Sequence, residues 1–262
     1  MMPVLFTVGD FTVRFYLLFT ILAITTAVTL IRYYEIPWLN AIVKLSPAIY
    51  KYNGEALLIA VICTIIGSRL AFVLVNWELY SDTPQNILAF WRGGFAFHGA
   101  LILAIPALIL HAWFRDIPLG KLLDLSIPYV TLGYGIGRLG CFFNGCCYGH
   151  PTQLPWGLVY QAIDSIPRHP TQLYSFLVIV IMFVILLRIS RKNFTGPVSG
   201  GKVFGWFLIL IGGYRFVVEF FRVSEVYTLY LTLAQLVSLI MVLGGVLLLL
   251  IRTYRLGGDI NA

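Results

Sequence analysis

Charge is what this sequence has least of. Only 11% of its 262 residues are Asp, Glu, Lys or Arg, against 60% apolar residues and a mean hydropathy of +0.89. Soluble domains carry about 25% charged and roughly 45–50% apolar residues. The shortage excludes a water-soluble enzyme and a disordered chain. Net charge is +7, from 18 basic and 11 acidic residues. No basic stretch could track a phosphate backbone, which excludes nucleic acid as a partner. Low-complexity segments, an internal repeat, a long linker and any C-x-x-C pair are also missing. Met1–Asp10 has no basic n-region, and no small-residue cleavage site follows the first apolar run, so a removable signal peptide is not expected. What is left is the composition of an all-α polytopic membrane protein, with 1-262 as one transmembrane domain.

Crossing a hydrocarbon core of roughly 30 Å takes about 20 mostly apolar residues. Seven stretches qualify: 15–34, 55–76, 95–113, 122–140, 171–188, 203–221 and 230–251. Each is expected to be helical, because backbone polar groups must pair within the bilayer. In the fourth, Gly133, Gly135, Gly137 and Gly140 lower helix propensity and leave room for irregular backbone. Lys and Arg then set the orientation. Arg32, Lys44, Lys51, Arg115, Lys121, Arg188, Arg191, Lys192, Lys202, Arg252 and Arg255 fall in one set of loops. Only Arg14, Arg92, Arg168 and Arg222 fall in the other. The richer side should be cytoplasmic, with the N-terminus outside and the C-terminus inside. Two extracytoplasmic stretches stand out, 77–94 and 141–170. The second, rich in Pro, Gly and aromatic residues, reads as a small ordered cap.

Three arginines remain, Arg69, Arg138 and Arg215, all inside spans. Charge in a span is costly and calls for a reason. Arg69 lies about 21 Å into the second span and Arg215 about 18 Å into the sixth, at about 1.5 Å per residue. Arg138 and His98 lie near the outer ends of the fourth and third. All four groups therefore share the outer half of the bilayer. Structural alternatives exist for each. Arg138 can snorkel to the interface, and Arg69 can hold neighbouring carbonyls. Arg215, Glu219 and Arg222, spaced i, i+4 and i+3, can form an ion-pair triad. His98 can be an ordinary hydrogen-bonded helix residue. Taken together, the groups suit an anionic head group, because guanidinium forks onto phosphate oxygens and stays charged when desolvated. A histidine beside them can take a proton near neutral pH.

Four local blocks carry more. Phe95-Ala96-Phe97-His98-Gly99-Ala100-Leu101 opens the third span, and Gly137-Arg138-Leu139-Gly140-Cys141-Phe142-Phe143-Asn144-Gly145-Cys146-Cys147-Tyr148-Gly149 closes the fourth. Arg168-His169-Pro170-Thr171-Gln172-Leu173-Tyr174 opens the fifth, and Tyr214-Arg215-Phe216-Val217-Val218-Glu219-Phe220-Phe221-Arg222 lies in the sixth. In this order they resemble the bacterial phosphatidylglycerol–prolipoprotein diacylglyceryl transferases, from about Arg14-Phe15-Tyr16 to Gln235. The resemblance implies a seven-span enzyme of the bacterial cytoplasmic (inner) membrane, its active site facing the outer leaflet. Its partners would be phosphatidylglycerol and prolipoprotein signal peptides with a lipobox cysteine, and it would need no cofactor and no metal. His98 matches the family histidine and becomes the candidate general base. Arg138 and Arg215 match the family's essential arginines. Asn144, Gly145 and Gly149 fall in the signature block, Tyr16 matches the first-span tyrosine and Glu219 the sixth-span glutamate. With Arg69, these form the expected phosphatidylglycerol-binding set.

The sequence departs from the family pattern in three places. Cys141 stands where many members have Asn and Cys146 where many have Glu, although other members carry the cysteine-rich form; Ile211 replaces a tyrosine that some members carry. Cys63, Cys141, Cys146 and Cys147 also raise redox and metal readings, the latter with His150 and His169. The C-x4-C-C-x2-H spacing is not a zinc pattern, and a vicinal bridge would be strained, so small packing residues are the favoured reading. A non-enzymatic lipid-binding or transport protein on the same fold, or a paralogue with a changed acceptor, is the alternative function.

Overall fold

The computed structural model describes residues 4–8, 11–43, 45, 47–81, 83–89, 94–161, 163–194, 200–223 and 230–259. Lys44, Arg92 and parts of Met1–Asp10 and of 77–94 lie outside the described residues. Helices dominate. α1 (Phe15–Thr29) continues through a π-helical stretch, Leu30–Glu35, into α2 (Ile36–Val43). α3 (Pro47–Val75), α4 (Phe97–Phe114), α5 (Leu119–Phe143), α6 (Thr171–Phe194), α7 (Lys202–Glu219) and α8 (Leu233–Asp259) follow. Phe15–Ile42, Pro47–Val75, Thr171–Asn193 and Leu233–Tyr254 are long and apolar enough to cross a membrane, and His98–Phe114 is a shorter apolar helix. The outward faces agree with that reading. Leu58, Ile66, Leu70 and Leu74 of α3 and Ile240, Leu243, Leu247 and Leu250 of α8 are exposed, an arrangement water would penalise and lipid would not.

Two small antiparallel hairpins depart from the all-α expectation. β1 (Val4–Val8) pairs with β2 (Phe11–Arg14) ahead of α1, and β3 (Leu158–Val159) pairs with β4 (Pro167–Arg168) in the cap. Val, Phe and Thr alternate through the first pair, residue types that favour the pleated backbone.

α5 is the hub, packed along α1 and α6 and touching α7, which in turn carries α8. Its glycines do not break it, contrary to the irregular backbone that the sequence allowed. The helix is continuous because these positions admit neighbours closely. A Cβ on Gly133 would lie 3.2 Å from the Ala23 carbonyl, on Gly135 3.0 Å from Ile179 and on Gly140 2.9 Å from Phe19. Without a hydrophobic drive between helices in lipid, such small-residue contacts are what let them associate. α3 and α4 form a separate hairpin. They cross at Gly67 and Gly99, where an added Cβ on either would collide with the carbonyl of the other. Among the described residues this hairpin joins the body mainly at one end, where Ile49 and Ala56, Ala112, and Leu122, Leu125 and Tyr129 share a core with Ile31, Ile36 and Leu39.

Two buried acids tie that same end. Glu35, 1% exposed, accepts from Arg191 at 2.8 Å and from the Tyr129 hydroxyl. Asp124 of α5 reaches the start of α7 and accepts backbone N–H bonds from Gly201, Lys202, Val203 and Phe204 at 2.9–3.1 Å. Those are the donors that a helix start leaves unpaired, at the positive end of its dipole. Asp124→Ala should therefore lower stability by about 2 kcal/mol or more, read as the shift in thermal unfolding of the detergent-purified protein. A surface Asp116→Ala variant should move it far less; equal shifts would remove the cap from the account.

Candidate functional site

At the other end of α5, Arg138 donates to the hydroxyl of Tyr134 one turn earlier, and its guanidinium lies 4.7 Å from the centre of that ring. Tyr214 of α7 lies close to Arg138, to Arg215 and to Ser175 of α6. The two arginines thus converge on one tyrosine from two helices. Sequence reading passes over Tyr134 and Tyr214, because only the packing of α5 on α7 shows that they meet the cations. Arg215 pairs with Glu219 at 3.0 Å, and Arg222 approaches the same carboxylate at 3.7 Å. The Thr232 hydroxyl donates to Glu219 at 3.4 Å. Glu219 is 5% exposed and is the fixed point of this network, so its chemistry is to orient arginines. Buried donors remain on both central cations: Arg138 Nε and Arg215 Nη1 have no hydrogen-bond partner among the described residues. Buried N–H groups left over in this way are uncommon and suit an anionic oxygen.

Arg69 does not join them. It is 3% exposed and donates to the carbonyls of Asn86 at 2.7 Å, Ile87 at 2.8 Å and Gly94 at 3.0 Å, with Tyr80 under its guanidinium at 5.3 Å. Its fork holds the loop after α3, as the carbonyl-holding alternative has it. His98 is exposed in the first turn of α4. Because α4 packs along α3 and, among the described residues, forms no extensive face with α5 or α7, His98 stands on the hairpin side of the molecule and the arginines on the body side.

The cap is ordered by backbone pairing. Gly149 N donates to the His169 carbonyl at 2.9 Å and His150 N to that of Phe221 at 2.9 Å. The side chains of Thr171 and Gln172, opening α6, donate to the carbonyls of Cys147 and Cys146 at 2.6 Å each. Arg168 beside Asp164 holds that carboxyl below the usual carboxylate range. Asn144 is the C-cap of α5, and Gly145 follows at φ +71° with nothing within 4 Å of where a Cβ would stand. Its backbone faces open space. Gly149 differs. A Cβ there would collide with the Phe221 carbonyl and meet His169 at 2.7 Å, so its missing side chain lets the cap pack against the segment after α7. Tyr16 lies at the crossing of α1 on Gly140 and close to Cys141, Cys146 and Cys147. An apolar groove of about 560 Å³ runs between α6 and α7, with Tyr174, Tyr214 and Phe221 toward the cap and Ile185 and Ile209 deeper.

Fold and site together describe a helical membrane protein with two half-buried arginines, each with a buried N–H left over, beside an apolar groove. The family model for prolipoprotein diacylglyceryl transferase matches residues 3–251. The chain belongs to this family. Relatives named phosphatidylglycerol–prolipoprotein diacylglyceryl transferase include that of Nitrosospira multiformis, 33% identical over 99% of this chain and 89% of its own. That of Methylobacillus flagellatus is 38% identical over 78% of this chain and 79% of its own. That of Cupriavidus pinatubonensis is 39% identical over 73% and 71%.

The two signature glycines should separate cleanly. Gly149→Ala should loosen the cap and expose 149–170 to limited proteolysis. Gly145→Ala should cost only the left-handed backbone strain, about 1–2 kcal/mol, and leave the cleavage pattern unchanged. Identical patterns for the two variants would contradict the packing role given to Gly149.

Proposed function

We propose that this chain transfers the diacylglyceryl group of phosphatidylglycerol to the lipobox cysteine of prolipoproteins, the first step of lipoprotein maturation. The observation that carries the reading is the convergence of Arg138 and Arg215 on Tyr214 with a buried N–H left over on each. The names of the relatives supply the donor and the acceptor class.

In this reading the phosphate oxygens take the spare donors of Arg138 and Arg215. The acyl chains lie in the α6–α7 groove, whose tyrosines reach the level of the arginines. Asn144 and the open backbone at Gly145 meet the glycerol end, and Tyr16 closes the α1 side. The incoming thiol loses its proton to a base, for which His98 is the candidate, because the thiolate is the nucleophile. Sulfur then attacks the diacylglyceryl carbon. One C–S bond forms, the C–O bond to phosphate breaks, and its electron pair leaves on glycerol phosphate. Negative charge grows on the departing oxygen, where two prepositioned, half-buried guanidiniums lower the barrier. Glu219 acts through them by fixing Arg215 and Arg222. A cysteine presented from outside and a lipid in the outer leaflet place the reaction at the outer face. The chain is then one domain of seven spans in the bacterial cytoplasmic (inner) membrane, with the N-terminus outside, the C-terminus cytoplasmic and 141–170 as an outer cap.

The assay is purified protein with phosphatidylglycerol and a synthetic lipobox peptide, read by mass spectrometry, with phosphatidylethanolamine as control lipid. A phosphatidylglycerol-dependent diacylglyceryl adduct on the peptide cysteine is expected. Binding of phosphatidylglycerol without any adduct would favour the lipid-binding or transport alternative. Arg138→Ala and Arg215→Ala should each lower the rate by about 10²–10³. His98→Gln should lower it by about 10²–10⁴; near-normal turnover would return His98 to a structural role. The buried Tyr214 hydroxyl has no hydrogen-bond partner among the described residues, so in this reading it meets the bound lipid, and Tyr214→Phe should lower the rate by about tenfold, the loss of that one hydrogen bond.

A further inference from the structure

The spacing of the outer cysteines favours a packing role, but the fold gathers three of them. The Sγ atoms of Cys141, Cys146 and Cys147 all lie within 4.8 Å of one another. Three features of the chain converge to do this. Cys141 rides the last turn of α5, Gly145 turns the backbone back at φ +71°, and Cys147 is itself held at φ +64°. The Cys146 thiol lies 3.6 Å from the Cys141 carbonyl, and all four cysteines are free thiols. Neither imidazole of the metal reading belongs to the cluster. His169 Nδ1 lies 3.2 Å from the Tyr174 hydroxyl with its ring against Phe221, and His150 is exposed.

We propose that Cys141, Cys146 and Cys147 form an all-sulfur site for a thiophilic d¹⁰ cation, Cu(I) or Zn(II). An ion equidistant from three sulfurs at the recorded limit would stand 4.8/√3, about 2.8 Å, from each; small side-chain rotations close this to the roughly 2.3 Å of a metal–thiolate bond. Soft sulfur ligands without nitrogen or carboxylate select soft ions. Cu(I) is satisfied by three thiolates, whereas Zn(II) completes a tetrahedron with water. Binding forms three metal–sulfur bonds and releases one proton from each thiol, leaving a complex of charge −2 for Cu(I) or −1 for Zn(II). Two cations stand ready to offset it, Arg222 beside Cys147 and Arg138 near Cys141. Asn144 and Gly145 lie between the first and second ligands, so occupancy fixes the backbone of that loop.

The test reads metal and not turnover, so it stands apart from the transfer assay. Full-length protein in detergent is reduced with a phosphine, freed of it, and titrated with Cu(I) against a chromogenic Cu(I) chelator. A parallel titration uses Cd(II), a divalent stand-in for zinc with a thiolate charge-transfer band. One equivalent per chain with that band is expected for at least one ion, and the preferred ion identifies the site's charge type. Cys141→Ser, Cys146→Ser and Cys147→Ser should each weaken binding by about tenfold or more, while Cys63→Ser and His150→Ala leave it unchanged. Two outcomes would overturn the proposal: no saturable uptake of either ion by the reduced wild-type protein, or uptake that survives in the triple serine variant. The wild-type titration decides even if a serine variant misfolds.

Discussion

The site depends on a contact at the opposite end of the molecule. Asp124, on α5, takes the four free N–H groups that begin α7 and so sets the height of one helix against the other. From that point both helices rise toward the cap. Arg138 lies fourteen residues beyond Asp124 and Arg215 twelve beyond Val203. At about 1.5 Å per residue these are climbs of about 21 and 18 Å, so the two arginines arrive within about 3 Å in height. A guanidinium spans that difference easily. One buried carboxylate thereby aligns two cations that are 77 residues apart in the chain.

The cations have to be held as well as aligned. Arginines placed side by side in a low dielectric repel. Glu219 answers this for Arg215 and Arg222, and the Tyr134 ring for Arg138. Each partner leaves part of the guanidinium unused, and in the proposed reading the unused N–H groups of Arg138 and Arg215 take the phosphate oxygens. Small residues complete the frame. Gly140 brings Tyr16 of α1 onto α5, and Gly149 brings the cap onto the end of α7. Among the described residues the α3–α4 hairpin is seated mainly by its other end, and helix packing does not seal that side of the site.

Much of this could be read from the chain itself, and the failures share a cause. Apolar runs announce the four membrane-length helices because lipid imposes one length and one pattern, and Arg138, Arg215 and Glu219 stand out as charges among apolar neighbours. What a residue's partners are is a different matter. Arg69 looked like the other intramembrane arginines, yet its carbonyl partners lie 17 to 25 residues away in a loop that folds back on it. Nothing in the chain marks Asp124 as a cap, because its partners begin 77 residues on. The glycines of α5 were weighed by helix propensity, which counts their entropy and not the neighbours they admit. The packing of Gly149 against Phe221 and His169 is visible in the sequence only as a missing side chain.

Phosphatidylglycerol retention by native mass spectrometry tests the central claim, that Arg138 and Arg215 together hold the phosphate. The wild-type protein should keep phosphatidylglycerol in preference to phosphatidylethanolamine as detergent is stripped away. The Arg138→Ala/Arg215→Ala double variant, still folded by its unfolding profile, should lose that preference. A folded double variant that keeps phosphatidylglycerol as selectively as the wild type would place the head group elsewhere and contradict the account.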